Sequence, residues 1–346
     1  SARPLTNTVF LALGALLASF IGTTGASMLL IYPLLKTNSE RKFTTHTFCF
    51  FIMLVSNIGG CLTPLGDPPL FLGYLKGVPF SWTFTALWPQ WLAMTSALLI
   101  FYYALDSLAY RRENPEDLAR DNVQIEPLTL RGSINFAWLC GVIAATALIM
   151  PGRTFTGTSW VVPLFAREIV LGVLTIGSLI TTPAGVRKEN SFSYGPILEV
   201  ACLFLGIFVV MQVPVEILRL SGAHLGLTQP LQFFWTTGLL SSFLDNAPTY
   251  VVFFETAGSL PSSDATMLHG VNTATGTISE PLLQAISLGA VFMGANTYIG
   301  NGPNFMVKSI VEANGVKMPS FFGYMLRWSM PVLLPLFAVL SWVNFR

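Results

Sequence analysis

Two acidic residues occur where long apolar stretches of the chain are interrupted. Asp67 lies in the string Gly-Asp-Pro-Pro, and Asp245 opens the string Asp-Asn-Ala-Pro-Thr. An ionisable group inside a bilayer is costly, so each is a functional candidate. A carboxylate beside a backbone break can bind a cation together with the freed carbonyls, or bind a proton instead. At both positions the structural alternative is N-capping of the helix that follows, and at Asp245 capping and ion binding can coexist.

Neutral polar residues accompany these two acids at the breaks. They can supply oxygen ligands to a cation or donate to a bound anion, but such residues also join membrane helices by hydrogen bonds. This group contains Thr23, Thr24, Asn57, Thr63, Asn246, Thr249, Asn296, Asn301 and Asn304. Glu199 lies inside a further apolar run and is a candidate for a proton relay or for a paired structural role. The acids near run ends, where solvation is cheap, are expected to be solvated: Asp106, Glu168, Glu255 and Glu280.

The composition excludes a water-soluble enzyme. Of the 346 residues, 53% are hydrophobic and 10% are charged, whereas about a quarter is charged in soluble chains. The net charge of +1 provides no basic excess for nucleic acid. The three histidines and four cysteines are scattered, so neither a His-rich metal cluster, a zinc site nor a disulfide framework is expected. We expect an all-α polytopic membrane protein with roughly nine or ten embedded segments.

Apolar runs define these segments, and four of the runs are interrupted. The runs are 8–35, 44–75, 81–105, 133–150, 166–182, 192–213, 231–257, 281–312 and 320–343. The first, second, seventh and eighth contain Gly, Pro and Asn clusters that break the helical backbone. Broken backbone at membrane depth is tolerated where it lines a protein cavity.

The interruptions occur in the same order in two halves of the chain. The string SFIGT (19–23) resembles SFLDN (242–246), and GDPPLF (66–71) resembles GNGPNF (300–305). Paired interrupted segments indicate the binding site of a transporter, although Gly and Pro are also generally common in membrane helices. We therefore predict a first inverted repeat at 1–110, a cytoplasmic linker at 111–131 and a second repeat at 132–346. The second repeat has three helices before its hairpin, so about a hundred N-terminal residues of the first are expected to be missing.

The distribution of Lys and Arg predicts how the repeats are oriented. If runs 8–35 and 231–257 are re-entrant hairpins, most basic residues, including Lys317 and Arg327, fall on one side of the membrane. The segment 258–279, which has no Lys or Arg, falls on the other. The basic side is expected to be cytoplasmic. The two hairpins then enter from opposite faces, as in an inverted repeat.

Three strings resemble the ion transporter superfamily: NIGGCLTPLGDPPLFLGYLKGVPF (57–80), SSFLDNAPTYVVFFETA (241–257) and GANTYIGNGPNFMVKSI (294–310). The similarity is greatest to its bacterial sodium/proton antiporters, a CitMHS-like branch that is also labelled as citrate transporters. Arsenite permeases and divalent-anion/sodium symporters are more distant relatives. The string FSYGPILEVACLFLGIF (192–208) also resembles that branch, and the resemblance covers essentially the whole chain.

The resemblance implies an elevator-type transporter in a bacterial inner membrane. In such proteins the two hairpins and broken helices form a mobile transport domain, and the remaining helices form a scaffold that often makes a homodimer. Carried over by motif, the site comprises Asp67, Asp245 and the nine Thr and Asn residues named above. Dicarboxylate symporters of the superfamily carry Ser-Asn-Thr in both hairpins, whereas this chain has Gly-Thr-Thr and Asp-Asn-Ala-Pro-Thr. That difference disfavours an organic dianion as substrate.

The leading functional hypothesis is sodium/proton antiport, in which Asp67 and Asp245 alternately bind a cation and a proton. The alternatives are sodium- or proton-coupled transport of citrate or another organic anion, and permeation of an arsenite-type oxyanion. In each case the partners are a small ion or anion and the lipid bilayer, with sodium or a proton as the coupling ion and no other cofactor. An intramembrane aspartyl protease is a different class: Pro-Leu-Gly-Asp (64–67) resembles its Gly-x-Gly-Asp motif, but the companion motifs are missing. We therefore predict that the protein is not an enzyme.

Overall fold

The computed structural model describes a predominantly helical chain. The described residues are 2–114, 132–149, 161–189, 194–261 and 270–346. They fall into two compact units, one of residues 1–125 with 201–346 and the other of residues 126–200. Most of the predicted linker, residues 115–131, lies outside the described residues, and the predicted division into repeats stays a prediction.

The helices have the following bounds in chain order. They are α1 Pro4–Ile21, α2 Thr23–Thr37, α3 Thr45–Leu54, α4 Pro68–Leu75, α5 Phe80–Tyr110, α6 Ile134–Leu148, α7 Ala166–Thr181, α8 Ala184–Glu189, α9 Gly195–Val210, α10 Gln212–Ser221, α11 Pro230–Phe243, α12 Asn246–Gly258, α13 Glu280–Met293, α14 Gly302–Ala313, α15 Phe321–Tyr324 and α16 Met330–Phe345. Short 3₁₀ turns occupy Ile58–Cys61, Gly222–Leu225 and Gly294–Asn296, and a π-helical turn occupies Met325–Ser329.

A short antiparallel hairpin is the exception to the all-α prediction. Strand β1, Val271–Thr273, pairs with β2, Gly276–Ile278. In the described part of the chain it is the one sheet. It lies within the segment that charge counting places outside the cytoplasm.

Three described segments are long and apolar enough to cross a membrane: Pro4–Ile21, Phe80–Tyr110 and Phe321–Phe345. Two shorter apolar segments are Thr45–Cys61 and Ile134–Leu148. Each of the four interrupted apolar runs forms a pair of helices: α1 with α2, α3 with α4, α11 with α12, and α13 with α14. The expected breaks therefore occur where Gly, Pro and Asn cluster in the sequence.

The break between α1 and α2 depends on a glycine. Gly22 has φ 83° and ψ 150°, a backbone conformation that is essentially restricted to glycine. At the corresponding break, between α11 and α12, Leu244 and Asp245 are extended and the helix resumes at Asn246. The first hairpin therefore turns at a glycine with positive φ. The second turns at extended residues, the last of which, Asp245, caps helix α12.

Substitution of Gly22 tests this turn. We expect Gly22→Ala to lower the free energy of unfolding by about 1–3 kcal/mol, because an L-residue is strained at this φ and ψ. Gly25→Ala is the matched control: Gly25 lies one turn further along the same hairpin, and its added Cβ would make only ordinary contacts, at 3.9 Å from Ile21. Thermal unfolding of the purified variants measures the difference, and equal melting temperatures would contradict the assignment.

Helix α4 is tied to the rest of the larger unit at both ends. Before its first residue, the Gly66 carbonyl accepts a hydrogen bond from the Thr23 amide at 2.8 Å. After its last residue, the Lys76 carbonyl accepts from the Ala274 amide of the β1–β2 turn at 2.7 Å. The Lys76 ammonium also pairs with Glu255 of α12, whose side chain is completely buried. The position of α4 is thus fixed relative to both α2 and α12.

A buried cluster of charged residues lies at the C-terminal end of α5. Charge counting predicts that this end is on the cytoplasmic side. Asp106 accepts from Arg41 at 2.7 Å and from His46 at 2.8 Å, and it is fully buried. Glu113 accepts from the backbone amides of Lys42 and Phe43 at 3.0 and 2.8 Å. These contacts join α5 to the segment between α2 and α3.

The expectation that acids near run ends are solvated holds for two residues and is wrong for two. Glu168 and Glu280 are exposed. Asp106 and Glu255 are buried with no exposed side-chain surface, because each has a basic partner distant in sequence. A buried carboxylate needs such a partner to offset its lost hydration.

The core of the larger unit depends on close helix packing and on aromatic side chains. A Cβ atom on Gly289 would lie 2.6 Å from the Phe234 carbonyl oxygen, so α11 and α13 approach closely there. Phe292 and Phe337 are completely buried and stack at 6.4 Å between ring centroids. In the smaller unit, α6 packs on α7, and Trp138 donates to Thr181 at 2.8 Å.

Candidate ion-binding site

The carboxylate of Asp67 is the centre of a buried polar cluster. It is 2% exposed. Oδ1 accepts from the Thr23 hydroxyl at 2.9 Å and from the Asn301 amide at 3.0 Å. Oδ2 accepts from the Asn246 amide at 2.6 Å. Side chains from both ends of the chain, up to 234 residues apart in sequence, therefore meet on one carboxylate.

All four side chains of this cluster stand at the start of a helix. Thr23 is the first residue of α2 and Asn246 the first of α12, while Asp67 and Asn301 directly precede α4 and α14. Helix N-termini carry free N–H groups and partial positive charge. The cluster therefore lies in a potential that favours a negative group without a basic side chain.

Asp67 neither caps α4 nor forms an ion pair. Its side chain makes no hydrogen bond to the first turn of α4, although its backbone occupies the N-cap position. Among the described residues, no Lys, Arg or His forms a salt bridge with it. The carboxylate is instead held by three neutral donors. Such a group can accept a proton or a small cation without first losing a salt-bridge partner.

Asp245 has a different environment from that of Asp67. It is half-buried, and its side chain accepts from the Ala247 amide at 2.9 Å, which makes it the N-cap of α12. Its charge lies within electrostatic range of Asp67, but no hydrogen bond among the described residues joins the two carboxylates. Asp245 therefore fixes the start of α12, and its neighbour Asn246 reaches Asp67.

Three buried asparagine oxygens near the breaks have no hydrogen-bond donor in the described part of the chain: Oδ1 of Asn57, of Asn246 and of Asn296. A buried acceptor left without a partner costs about 1–3 kcal/mol. Carboxylate and amide oxygens are the ligands that hard cations such as sodium take in proteins. The unpaired oxygen of Asn246 belongs to the same amide that donates to Asp67.

Asn57 and Asn304 form a second polar contact between the two halves. Asn57 donates to the Asn304 side-chain oxygen at 2.7 Å, and Asn304 donates to the Gly294 carbonyl at 2.9 Å. The unpaired Asn57 oxygen lies against Gly294, where a Cβ atom would be 3.1 Å from it and 3.1 Å from the Gly300 carbonyl oxygen. A side chain at position 294 would fill the space between these two oxygens.

The same hydrogen bond recurs at both hairpins. The Thr63 hydroxyl donates to the Ser19 carbonyl, and the Thr297 hydroxyl donates to the Ser242 carbonyl. Sequence reasoning did not select Ser19, Ser242 or Thr297 as site residues. The signal was present, because the two serines open the matching strings SFIGT and SFLDN.

The remaining predicted residues are placed as follows. Asn296 donates to the Ser242 hydroxyl at 2.9 Å, and Thr249 donates to the Asp245 carbonyl at 2.9 Å within its own helical turn. Thr24 is partly buried and is not among the donors to Asp67. Helix α9 includes Glu199, but that side chain lies outside the described residues. The structure therefore brings Thr23, Asp67, Asn246 and Asn301 together and places the others around them.

An integral membrane protein with interrupted helices around a buried polar centre has the architecture of a secondary transporter. The chain matches a family model described as "Putative citrate transport" over residues 1–345, and it belongs to that family. It is also similar to the "46 kDa membrane protein" of Mycobacterium leprae (strain TN), with 28% identity over 337 residues. That alignment covers 93% of this chain and 72% of the relative. The family description concerns transport and not catalysis, and both comparisons agree with a location in a membrane.

Proposed function

We propose that this protein is a secondary transporter that exchanges sodium ions for protons at Asp67, with Asp245 as a second acidic group of the same pathway. The observation that carries the proposal is the environment of the Asp67 carboxylate. It is buried and bonded by three neutral donors from both halves of the chain, and it has no salt bridge within the described residues. A sodium ion and a proton occupy the same lone pairs, so binding of one excludes the other.

The unpaired oxygen of Asn246 supports cation binding at this carboxylate. In the structure the amide nitrogen of Asn246 faces Asp67 and its oxygen has no donor. Rotation of the amide by half a turn would exchange the donor for an oxygen ligand. Asn246 can thus stabilise Asp67 when no cation is bound and coordinate a cation when one is.

The second candidate function is sodium- or proton-coupled transport of citrate or another small organic anion. The family description supports it, and so does the convergence of four helix N-termini on the site. Against it, the Asp67 and Asp245 charges would repel a multiply charged anion. This function therefore requires that bound cations first neutralise the acids.

The architecture of inverted repeats with an elevator motion is part of the same proposal, as is assembly into a homodimer in a bacterial inner membrane. Close packing of α4 on α12 supports movement of the broken helices and hairpins as one body. A Cβ atom on Gly73 of α4 would lie 2.3 Å from the Tyr250 hydroxyl of α12, so the two helices are in tight contact. The ion pair of the partly exposed Lys76 with the buried Glu255 adds a further contact between them.

Transport by the wild-type protein in reconstituted vesicles tests the proposal. Vesicles containing a pH-sensitive dye are given an outward or inward sodium gradient, and a parallel set receives labelled citrate. We expect a sodium gradient to drive proton movement in the opposite direction, without citrate. Citrate uptake that requires sodium or protons, with no proton movement in its absence, would overturn antiport in favour of the second candidate.

A further inference from the structure

A cavity of about 480 Å³ opens beside the start of the last membrane-crossing segment, away from the Asp67 cluster. Its lining includes Thr45, Lys317, Pro319, Phe322, Arg327 and Trp328. It is bounded by the start of α3, by the segment that precedes α15, and by the π-helical turn. None of the functions considered above uses it.

The cavity carries positive charge that the described residues do not neutralise. Lys317 and Arg327 both line it, both are exposed, and neither forms a salt bridge with a described residue. Among the described residues that line the cavity, none is acidic. The nearby Lys308 is different, because it pairs with Glu312 at 2.6 Å. The cavity thus offers two free cations to an anionic ligand.

The same cavity has an apolar wall that faces outward. Phe322 is 65% exposed and Leu326 is 60% exposed, and both lie at the start of the segment Phe321–Phe345. A membrane-crossing helix places its first turns at the level of the lipid headgroups, where Trp side chains such as that of Trp328 are enriched. Two cations beside exposed apolar side chains at this level match a charged headgroup and the start of its acyl chains.

We propose that this cavity binds the phosphate headgroup of an anionic phospholipid, with Lys317 and Arg327 at the phosphate and Phe322 and Leu326 against the acyl chains. The π-helical turn Met325–Ser329 supports this assignment. Such turns are rare and occur frequently at functional sites, since the extra residue changes the direction of the side chains. Here the turn carries Arg327 and Trp328 into the cavity lining.

The lipid site is physically connected to the polar centre of the protein. Ser329 in the π-helical turn donates to the Asn296 carbonyl at 2.6 Å, and Tyr324 donates to the Ala295 carbonyl at 2.9 Å. Both acceptors lie in the break between α13 and α14. Tyr298, which lies in the same break, donates to the Pro319 carbonyl of the cavity lining at 3.0 Å. Lipid bound in the cavity would therefore stabilise the position of this break.

Lipid binding by a charge-neutralised variant tests the inference. The purified protein in detergent is titrated with phosphatidylglycerol or with phosphatidylcholine, and bound lipid is counted by native mass spectrometry. We expect the double variant Lys317→Gln/Arg327→Gln to bind phosphatidylglycerol roughly tenfold or more weakly than wild type, since each basic residue contributes to anionic-lipid binding. The matched control is Arg111→Gln/Arg112→Gln, which removes two exposed charges that do not line the cavity and should bind as wild type does.

One further variant and one competition measurement complete the experiment. Arg327→Lys keeps the charge, so it should retain phosphatidylglycerol binding and show that a loss in the double variant comes from charge. Inorganic phosphate should not displace the lipid, because it cannot contact Phe322 and Leu326. Equal lipid binding by wild type and the double variant would overturn the inference. Displacement by inorganic phosphate at matched concentration would also overturn it, in favour of a site for a soluble anion.

Discussion

Asp67→Asn is expected to reduce ion-coupled transport to the level of protein-free vesicles while the protein remains folded. The substitution removes the one charge at the centre of the cluster and keeps the size of the side chain. An amide there can still accept from Thr23 and Asn301. Its new N–H₂ group would face the Asn246 nitrogen, but rotation of Asn246 presents an oxygen that is otherwise unpaired. The fold should therefore tolerate the change, whereas cation and proton binding should not.

Sodium-driven proton movement in vesicles measures this effect, with thermal unfolding as the check on folding. Asp245→Asn is the informative companion variant. Asparagine is as good an N-cap as aspartate, so the start of α12 should be preserved, and any loss of coupling then reports the charge of Asp245. Full sodium-driven proton movement in both variants would end the proposal of exchange at these acids. Loss only in the Asp67 variant would restrict the role of Asp245 to capping.

Gly300→Ala is expected to destabilise the protein by about 3 kcal/mol or more, the upper end of what overpacking costs. A Cβ atom on Gly300 would lie 2.5 Å from the Gly294 carbonyl oxygen and 2.8 Å from that of Ser241. Both are backbone atoms, the first in the break that precedes Asn301 and the second in helix α11, so neither can move aside cheaply. We expect low yields of folded protein and a lower melting temperature.

Gly302 provides the control for this substitution within the same motif. A Cβ atom on Gly302 would meet nothing within 4 Å, and the residue is the first of α14. Gly302→Ala should leave the melting temperature unchanged or raise it slightly, because alanine restricts the unfolded chain more than glycine does. Similar destabilisation by both substitutions, measured by thermal unfolding in detergent, would contradict the close backbone approach at residue 300.

The sequence was sufficient to predict where the helices break. Gly22, Asp67, Asp245 and Asn301 stand next to residues that disrupt the backbone ladder, and a helix begins at or beside each of them. The prediction of the breaks succeeds because Gly, Pro and Asn interrupt a helix through their own local backbone preferences. Membership of a transport family was likewise accessible, since long motifs carry the resemblance. Sodium/proton exchange itself remains a prediction.

The partners of each polar residue could not be predicted in the same way. Thr23 reaches Asp67 and the adjacent Thr24 does not, because successive residues at a helix start point in different directions. Asp106 was expected to be solvated, yet Arg41 and His46 surround it from more than fifty positions away. Such contacts depend on how helices pack across the fold, which a spacing pattern in one segment does not encode.

The hydrogen bond between the β1–β2 turn and the end of helix α4 connects this turn to the candidate site. The Ala274 amide donates a hydrogen bond to the Lys76 carbonyl, directly after the last residue of α4. The eight residues of α4 separate that end from Asp67, a length of about 12 Å of helix. Charge counting places the turn on the face opposite the cytoplasm. In the orientation predicted from charge counting, an antibody fragment bound to this turn would contact the protein from the face opposite the cytoplasm and would restrain the helix that begins directly after Asp67.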